Sequence, residues 1–226
     1  STIDALGLVL LDRQQYEEAE GLLRKVLRLR QQQLGEGHRH TLVTLANLSS
    51  VLRSTGRLEE AERLQRKHLK IREEKLGPLN PSTLTSVNNL AATLSERGKF
   101  EEAERLYRRA LHGRQEVFGK QHPEVIFSAR NLAVYLWKRG KLSAAEEIFR
   151  SALAGIDDKP EAQVHHYTWQ CMADYADLLK DVGRLDQAKQ LCEKALAAQR
   201  RTIGDDHPHT KESVKILGWI TQAAPQ

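Results

Sequence analysis

The stretch Gly56-Arg57-Leu58-Glu59-Glu60-Ala61-Glu62-Arg63-Leu64 decides the fold, because it returns as Gly98-Lys99-Phe100-Glu101-Glu102-Ala103-Glu104-Arg105-Leu106. Looser copies stand at Gly140-Lys141-Leu142-Ser143-Ala144-Ala145-Glu146-Glu147-Ile148 and Gly183-Arg184-Leu185-Asp186-Gln187-Ala188-Lys189-Gln190-Leu191. The earliest copy lacks the glycine and runs Gln14-Gln15-Tyr16-Glu17-Glu18-Ala19-Glu20-Gly21-Leu22. Successive copies are 42, 42, 42 and 43 residues apart. Self-similarity at one fixed period marks a chain built by repeating a single small structural unit.

Each unit reads as two helices joined by a tight turn. Leu42, Leu45, Leu48, Val51 and Leu52 recur at helical spacing along the first helix. Gly56, Gly98, Gly140 and Gly183 follow that segment, where a helix terminates in the left-handed region. The second helix opens on acids such as Glu59 and Glu60, which suit the positive end of a helix dipole. Ala61, Ala103, Ala145 and Ala188 are small enough to let the two helices approach closely. Leu34-Gly35, Leu76-Gly77, Phe118-Gly119 and Ile203-Gly204 close the second helices, and Asn80-Pro81, His122-Pro123 and His207-Pro208 block their continuation.

A lone hairpin cannot bury its apolar face, but stacked hairpins bury it against each other. The pattern predicts an all-α fold, a right-handed superhelical solenoid of antiparallel helix hairpins forming a single array over 1–226. Its five repeats fall near 1–37, 38–79, 80–121, 122–164 and 165–206, followed by a capping helix at 208–222. Ala154-Gly155-Ile156-Asp157-Asp158-Lys159-Pro160 should stop one second helix early and leave an irregular connector. Thr210 to Ile220 has the pattern of a first helix without its partner, either a cap or the cut edge of a longer array.

Composition narrows the function. Apolar residues make up 40 % and charged residues 29 %, a balance that suits a soluble helical protein and not a disordered one. The apolar runs are too short to cross a membrane. Ser1-Thr2-Ile3-Asp4 leads straight into a helical pattern, without a leader signature. Cys171 and Cys192 belong to no CxxC, so reduced thiols and a cytoplasmic setting are expected. The net charge of +5 is spread over 35 basic and 30 acidic residues, which favours acidic partners mildly and argues against nucleic acid. The basic residues at 24, 25, 28 and 30, and at 63, 66, 67, 70 and 72, alternate with glutamates and read as an ordinary charged outer face.

No GxSxG, HExxH or P-loop pattern occurs, and the glutamate clusters recur in each unit where an active site would occur once. No enzyme activity is expected. His165-His166 and His207-Pro208-His209 are the densest histidine clusters, yet no cysteine or carboxylate completes a ligand set, so no metal and no cofactor is expected.

The segment Val87-Asn88-Asn89-Leu90-Ala91, with the Gly98 copy, Arg109-Ala110-Leu111 and Phe118-Gly119-Lys120-Gln121-His122-Pro123, closely resembles the tetratricopeptide domain of kinesin light chain. Ala129-Arg130-Asn131-Leu132-Ala133 and Ala46-Asn47-Leu48 carry the same signature, and the resemblance covers nearly the whole chain. It implies a concave groove, lined by the first helices, that binds short extended cargo peptides carrying a tryptophan flanked by acids. It further implies that Asn47, Asn89 and Asn131 grip the peptide backbone and that Arg53 meets acidic side chains. Asp174 replaces the asparagine in the fifth unit, a departure from the family pattern, as is the irregular spacing after Leu153.

Helical geometry gives a face of its own. Thr85, Asn88, Ala92 and Ser95 should point away from the core, with Val43, Ala46, Ser50 and Arg53 one unit earlier and Phe127, Arg130, Val134 and Trp137 one unit later. Amides on such a surface can satisfy an extended peptide while an apolar wall takes a side chain. An asparagine repeated every 42 residues can equally hydrogen-bond between helices and fix their stacking. Trp137 can stack on Arg130 or pack on the next unit, and Trp169 and Trp219 are expected in core or cap. The expected partner is a protein or peptide with acids around an apolar anchor. The alternative is a structural or autoregulatory array that binds its own chain or another copy, as a homo-oligomer.

Overall fold

A computed structural model describes residues 16–156 and 165–223, and every regular element among them is an α-helix. The elements are α1 (Tyr16–Leu34), α2 (Arg39–Ser54), α3 (Leu58–Leu76), α4 (Pro81–Glu96), α5 (Phe100–Phe118), α6 (Pro123–Lys138), α7 (Leu142–Leu153), α8 (His166–Asp181), α9 (Leu185–Ile203) and α10 (Pro208–Ala223). The expected opening helix of the first repeat and the connector at 157–164 lie outside the described residues. The second helices end at Leu34, Leu76, Phe118 and Ile203, where the glycines predicted. Among the described residues, no helix is long and apolar enough to cross a membrane.

The chain divides into two compact units, Ser1–Gly113 and Arg114–Gln226. In the first, α2 packs on α1 and α3, and α3 on α4. Ala19, Leu23, Leu27, Leu45, Leu48, Val51, Leu52 and Ala61 form a buried cluster flanked by Tyr16, Leu22 and Leu64. The small residue expected at each helix crossing is fully buried, as Ala61 and Ala103 here and Ala145 and Ala188 in the second unit. A still closer approach occurs at Gly113, where a Cβ would lie 2.7 Å from Leu84 Cδ2.

In the second unit α6 pairs with α7, α8 with α9, and α8 also touches α6, α7 and α10. Trp169, Met172, Ala195 and Ala198 are buried together, with Leu153, Ile156 and Leu191 packed against them. Helix α7 has 12 residues where α1, α3, α5 and α9 have 19, so the second helix does stop early after Leu153.

The helix ends follow one scheme. At Gly98 (φ +77°) the amide of Lys99 reaches the Leu94 carbonyl at 2.9 Å, and Gly98 reaches Ser95 at 3.1 Å, which closes the helix with two of its orphan carbonyls satisfied. The same pair of bonds closes α2, α6 and α8. First helices are opened by a side chain that accepts an amide two residues on. Asn80 Oδ1 does so for α4, and the Nδ1 atoms of His38, His122, His165 and His207 do so for α2, α6, α8 and α10. Capping therefore accounts for four of the nine histidines.

Candidate functional site

First helices lie beside first helices within each unit. In the first unit Arg53 Nη1 on α2 meets Glu96 Oε1 on α4 at 3.2 Å. Val43 of α2 and Thr85 and Asn89 of α4 are exposed, and Ala46, Asn47 and Ser50 of α2 and Ala92 and Ser95 of α4 are half-buried. Asn89 is exposed and Asn47 half-buried, with the Asn47 Nδ2 group buried and without a protein hydrogen-bond partner. Ser50 spends its hydroxyl on the Ala46 carbonyl of its own helix. Asn88, expected on this surface, is only 5 % exposed. It lies one helical turn from buried Leu84 and Ala91 and shares their covered side of α4.

In the second unit α6 presents Phe127, Arg130, Asn131, Val134 and Trp137, all half-buried. Each end of this row is tied to α8. Phe127 packs on Tyr167 with ring centres 4.9 Å apart, Arg130 Nε stands 2.6 Å from Asp174 Oδ2, and Trp137 Nε1 donates to Asp181 Oδ2 at 3.0 Å. Burial pushes the Asp174 carboxyl above the ordinary carboxylate range, against the pull of Arg130. Trp137 thus binds the neighbouring hairpin and does not stack on Arg130. Trp169 is core at 4 % exposure, whereas Trp219 is 52 % exposed, with Lys180 Nζ 5.2 Å from its ring centre.

Both basic residues on these faces are therefore already seated against carboxylates of the next first helix. Where kinesin light chain-type units would offer an amide, α8 offers Asp174, with Asp177 and Asp181 in line on the same helix. Cys171 and Cys192 are free and buried, and burial pushes both thiols up, that of Cys192 to about 11, which favours the less nucleophilic protonated form.

Two repeating devices escaped the sequence reading. Glu20, Glu62 and Glu146 each accept a cation from the turn of the following hairpin, namely Arg57 at 2.6 Å, Lys99 at 2.9 Å and Arg184 at 2.5 Å. These glutamates are latches between hairpins, where the sequence suggested only solvation and capping. Arg30, Arg72 and Arg114 reach back into the next first helix, so the basic run on the second helices is not wholly an outer charged face. The signal was available: arginine recurs at steps of 42 with a serine or threonine fourteen residues later.

A sequence model of the tetratricopeptide repeat matches residues 1–74, 51–115 and 82–157, and a second model of that repeat matches residues 169–209. No curated protein is a significant match. Among solved structures, the nearly identical TPR-like repeats assigned to kinesin light chain from Podosopora anserina share 23 % identity. They align over 89 % of this chain and 95 % of that one, with a TM-score of 0.72. BtubC (BKLC) from P. vanneervenii shares 25 % identity over 91 % of this chain and 81 % of that one, at a TM-score of 0.72. The Rap conjugation gene regulator of the plasmid pLS20, in complex with the Phr* peptide, shares 14 % identity over 96 % of this chain and 57 % of that one, at 0.73.

Proposed function

The chain belongs to the tetratricopeptide repeat family, and from that premise we propose that it is a non-catalytic protein-interaction module of the cytoplasm. Its first-helix faces hold an extended, acidic segment of a partner. On the face of the first unit, Asn89 and the half-buried Asn47 bond a peptide backbone and Arg53 takes a carboxylate; on that of the second, Asn131 bonds the backbone, Arg130 takes a carboxylate, and Phe127 and Val134 take an apolar anchor. The observation that carries this reading is the Arg130–Asp174 contact at 2.6 Å, together with Arg53–Glu96 at 3.2 Å. Both arginines already seat a carboxylate, the group an acidic peptide would bring, and the peptide exchanges with that internal acid. Peptide-bound Rap supports the reading at the level of the fold alone.

Fluorescence polarisation with short acidic peptides that carry a central tryptophan tests it. Asn89→Ala should weaken binding about tenfold with an unchanged melting temperature, since a lost hydrogen bond to a peptide is worth about 1 kcal/mol or somewhat more. Asp174→Asn should tighten binding, because the internal competitor loses its charge. If Asn89→Ala instead lowers stability and leaves affinity alone, the asparagines fix stacking and the reading falls.

A second reading is favoured by α10, whose Val214 and Trp219 are exposed large apolar residues on one described helix. There the array associates with a second copy of itself. Light scattering that reports a dimer, lost in Trp219→Asp, would support it over the first.

A further inference from the structure

Arg30, Arg72 and Arg114 occupy one position near the C-terminal ends of α1, α3 and α5. Each guanidinium ties its hairpin to the next first helix. Arg30 Nη1 donates to the Thr44 hydroxyl and, at 3.1 Å, to the His40 carbonyl. Arg72 Nη1 donates to the Ser82 carbonyl and, at 3.2 Å, to the Ser86 hydroxyl. Arg114 Nη1 donates to the Ser128 hydroxyl.

The corresponding residues of the last full hairpin are Gln199 on α9 and Ser213 on α10. Both are 1 % exposed, and neither the Gln199 Oε1 atom nor the Ser213 hydroxyl has a hydrogen-bond partner in the protein. A buried polar group left in this state is costly, and it marks a place where a further partner is expected. Beside Gln199 opens a recess of about 260 Å³, lined by Trp169, Gln170, Ile203 and the imidazoles of His166, His207 and His209. The two histidine clusters meet here, His166 with His207 and His209, although His166 and His207 are 41 residues apart in sequence.

The first hairpin shows what such a space holds. His38 and His40 form the same capping pair, with ring centres 5.2 Å apart against 5.1 Å for His207 and His209. Arg30 sits against that first pair and bonds the His40 carbonyl. A guanidinium and two imidazoles therefore coexist in this scaffold. Burial, aided by the neighbouring imidazoles, lowers the affinity of His166 and His209 for protons. The lowered proton affinity of these two imidazoles weakens the repulsion that a cation would meet there. Among the described residues no three metal-ligating groups are placed to hold an ion.

We propose that this recess is a guanidinium-binding site, which takes an arginine side chain of a partner segment, or a small free guanidinium compound, where Arg30, Arg72 and Arg114 supply their own. The planar cation stacks on indole and imidazole faces. Its fork of donors meets Gln199 Oε1, the Ser213 hydroxyl and the His209 carbonyl, the equivalent of the His40 carbonyl that Arg30 uses. The site is built from the ends of α8, α9 and α10, apart from the first-helix faces, so it stands or falls independently of the peptide-binding reading.

Imidazole proton resonances of His166, His207 and His209, titrated with N-acetyl-arginine amide, its lysine counterpart and a glycine-flanked arginine peptide, test the site. Both arginine probes should give saturable shifts, with lysine about tenfold weaker because it cannot reproduce the fork. Equal affinity of the two arginine probes assigns the site to a free guanidinium compound, and a tighter peptide assigns it to a partner chain. Gln199→Arg should abolish probe binding and raise the melting temperature, since its own guanidinium reaches Ser213. Ser213→Ala should weaken the arginine probes while the fold is retained. Absence of saturable shifts in the native protein, an equal response to lysine, or undiminished binding by Gln199→Arg would overturn the proposal.

Discussion

Three buried ionisable side chains carry opposite electrostatic logic. Glu62 is 5 % exposed; burial alone would raise its carboxyl, but hydrogen bonds from Lys99, Arg66 and Arg97 outweigh that and hold it at about 2. A carboxyl lowered on folding contributes stability above its unfolded value of 4.5, lost as pH falls toward 2. His68 is the reverse in cause and the same in direction. Its imidazole is 4 % exposed, and burial, with Arg72 nearby, lowers it to about 4. The unfolded chain takes up that proton first, so stability starts to fall below the ordinary histidine value of about 6.5. Acid unfolding should therefore show two limbs, each worth roughly 2 kcal/mol after discount for solvent screening. His68→Leu should remove the limb between pH 6.5 and 4, and Glu62→Gln the one below 4.5, in urea titrations at stepped pH. Arg114, 1 % exposed, is held by Ser128, by Glu124 at 3.2 Å and by the Phe127 ring at 5.7 Å. Arg114→Ala should cost about 3 kcal/mol, because it opens a cavity and orphans the Ser128 hydroxyl.

At the scale of the helix, local chemistry decides where each element begins and ends, and local chemistry is what a sequence displays. The glycine that closes a first helix and the proline that bars a second are read correctly from single residues. Gly98→Ala tests how much this is worth. A Cβ there would meet nothing within 4 Å, so the whole cost is the strain of φ +77°, about 1 kcal/mol by denaturant unfolding. His122→Ala should cost a similar amount of about 1 kcal/mol, and His122→Asn little, because Asn80 performs the same capping for α4. What the sequence hid depends on contacts between elements. The offset from Asn89 places Asn88 on an open face, but exposure also depends on what covers that face, and Asn88 is buried. Trp137 could not be given its partner, since Asp181 lies 44 residues away on another helix. The Gln199 recess is invisible to any motif, because it is defined by a guanidinium that three other hairpins possess.

Over the whole molecule, the same restriction of contacts to near neighbours explains the charge pattern. The 35 basic and 30 acidic residues are scattered along the sequence and do not form one-signed runs. Many instead meet in pairs across the seams between consecutive hairpins, as Glu20 with Arg57, Glu62 with Lys99 and Glu146 with Arg184. A second set crosses the same seams through Arg24–Glu60 and Arg66–Glu102, both at 2.7 Å. Cations used in this way are poorly placed to track phosphates, which is why the net charge of +5 leads to no nucleic-acid reading. In an array whose stability is a sum over neighbouring seams, each latch acts on its own seam and is screened by salt. Glu146→Arg should therefore lower the melting temperature of the second unit by opposing Arg184 at that seam. Arg184→Glu in the same chain should restore most of the loss, because it rebuilds the pair with its signs exchanged. The gap between single and double variants should narrow in high salt, read by calorimetry at two ionic strengths. A double variant no more stable than either single one would show that the latch works through the shape of the side chains and not through their charge.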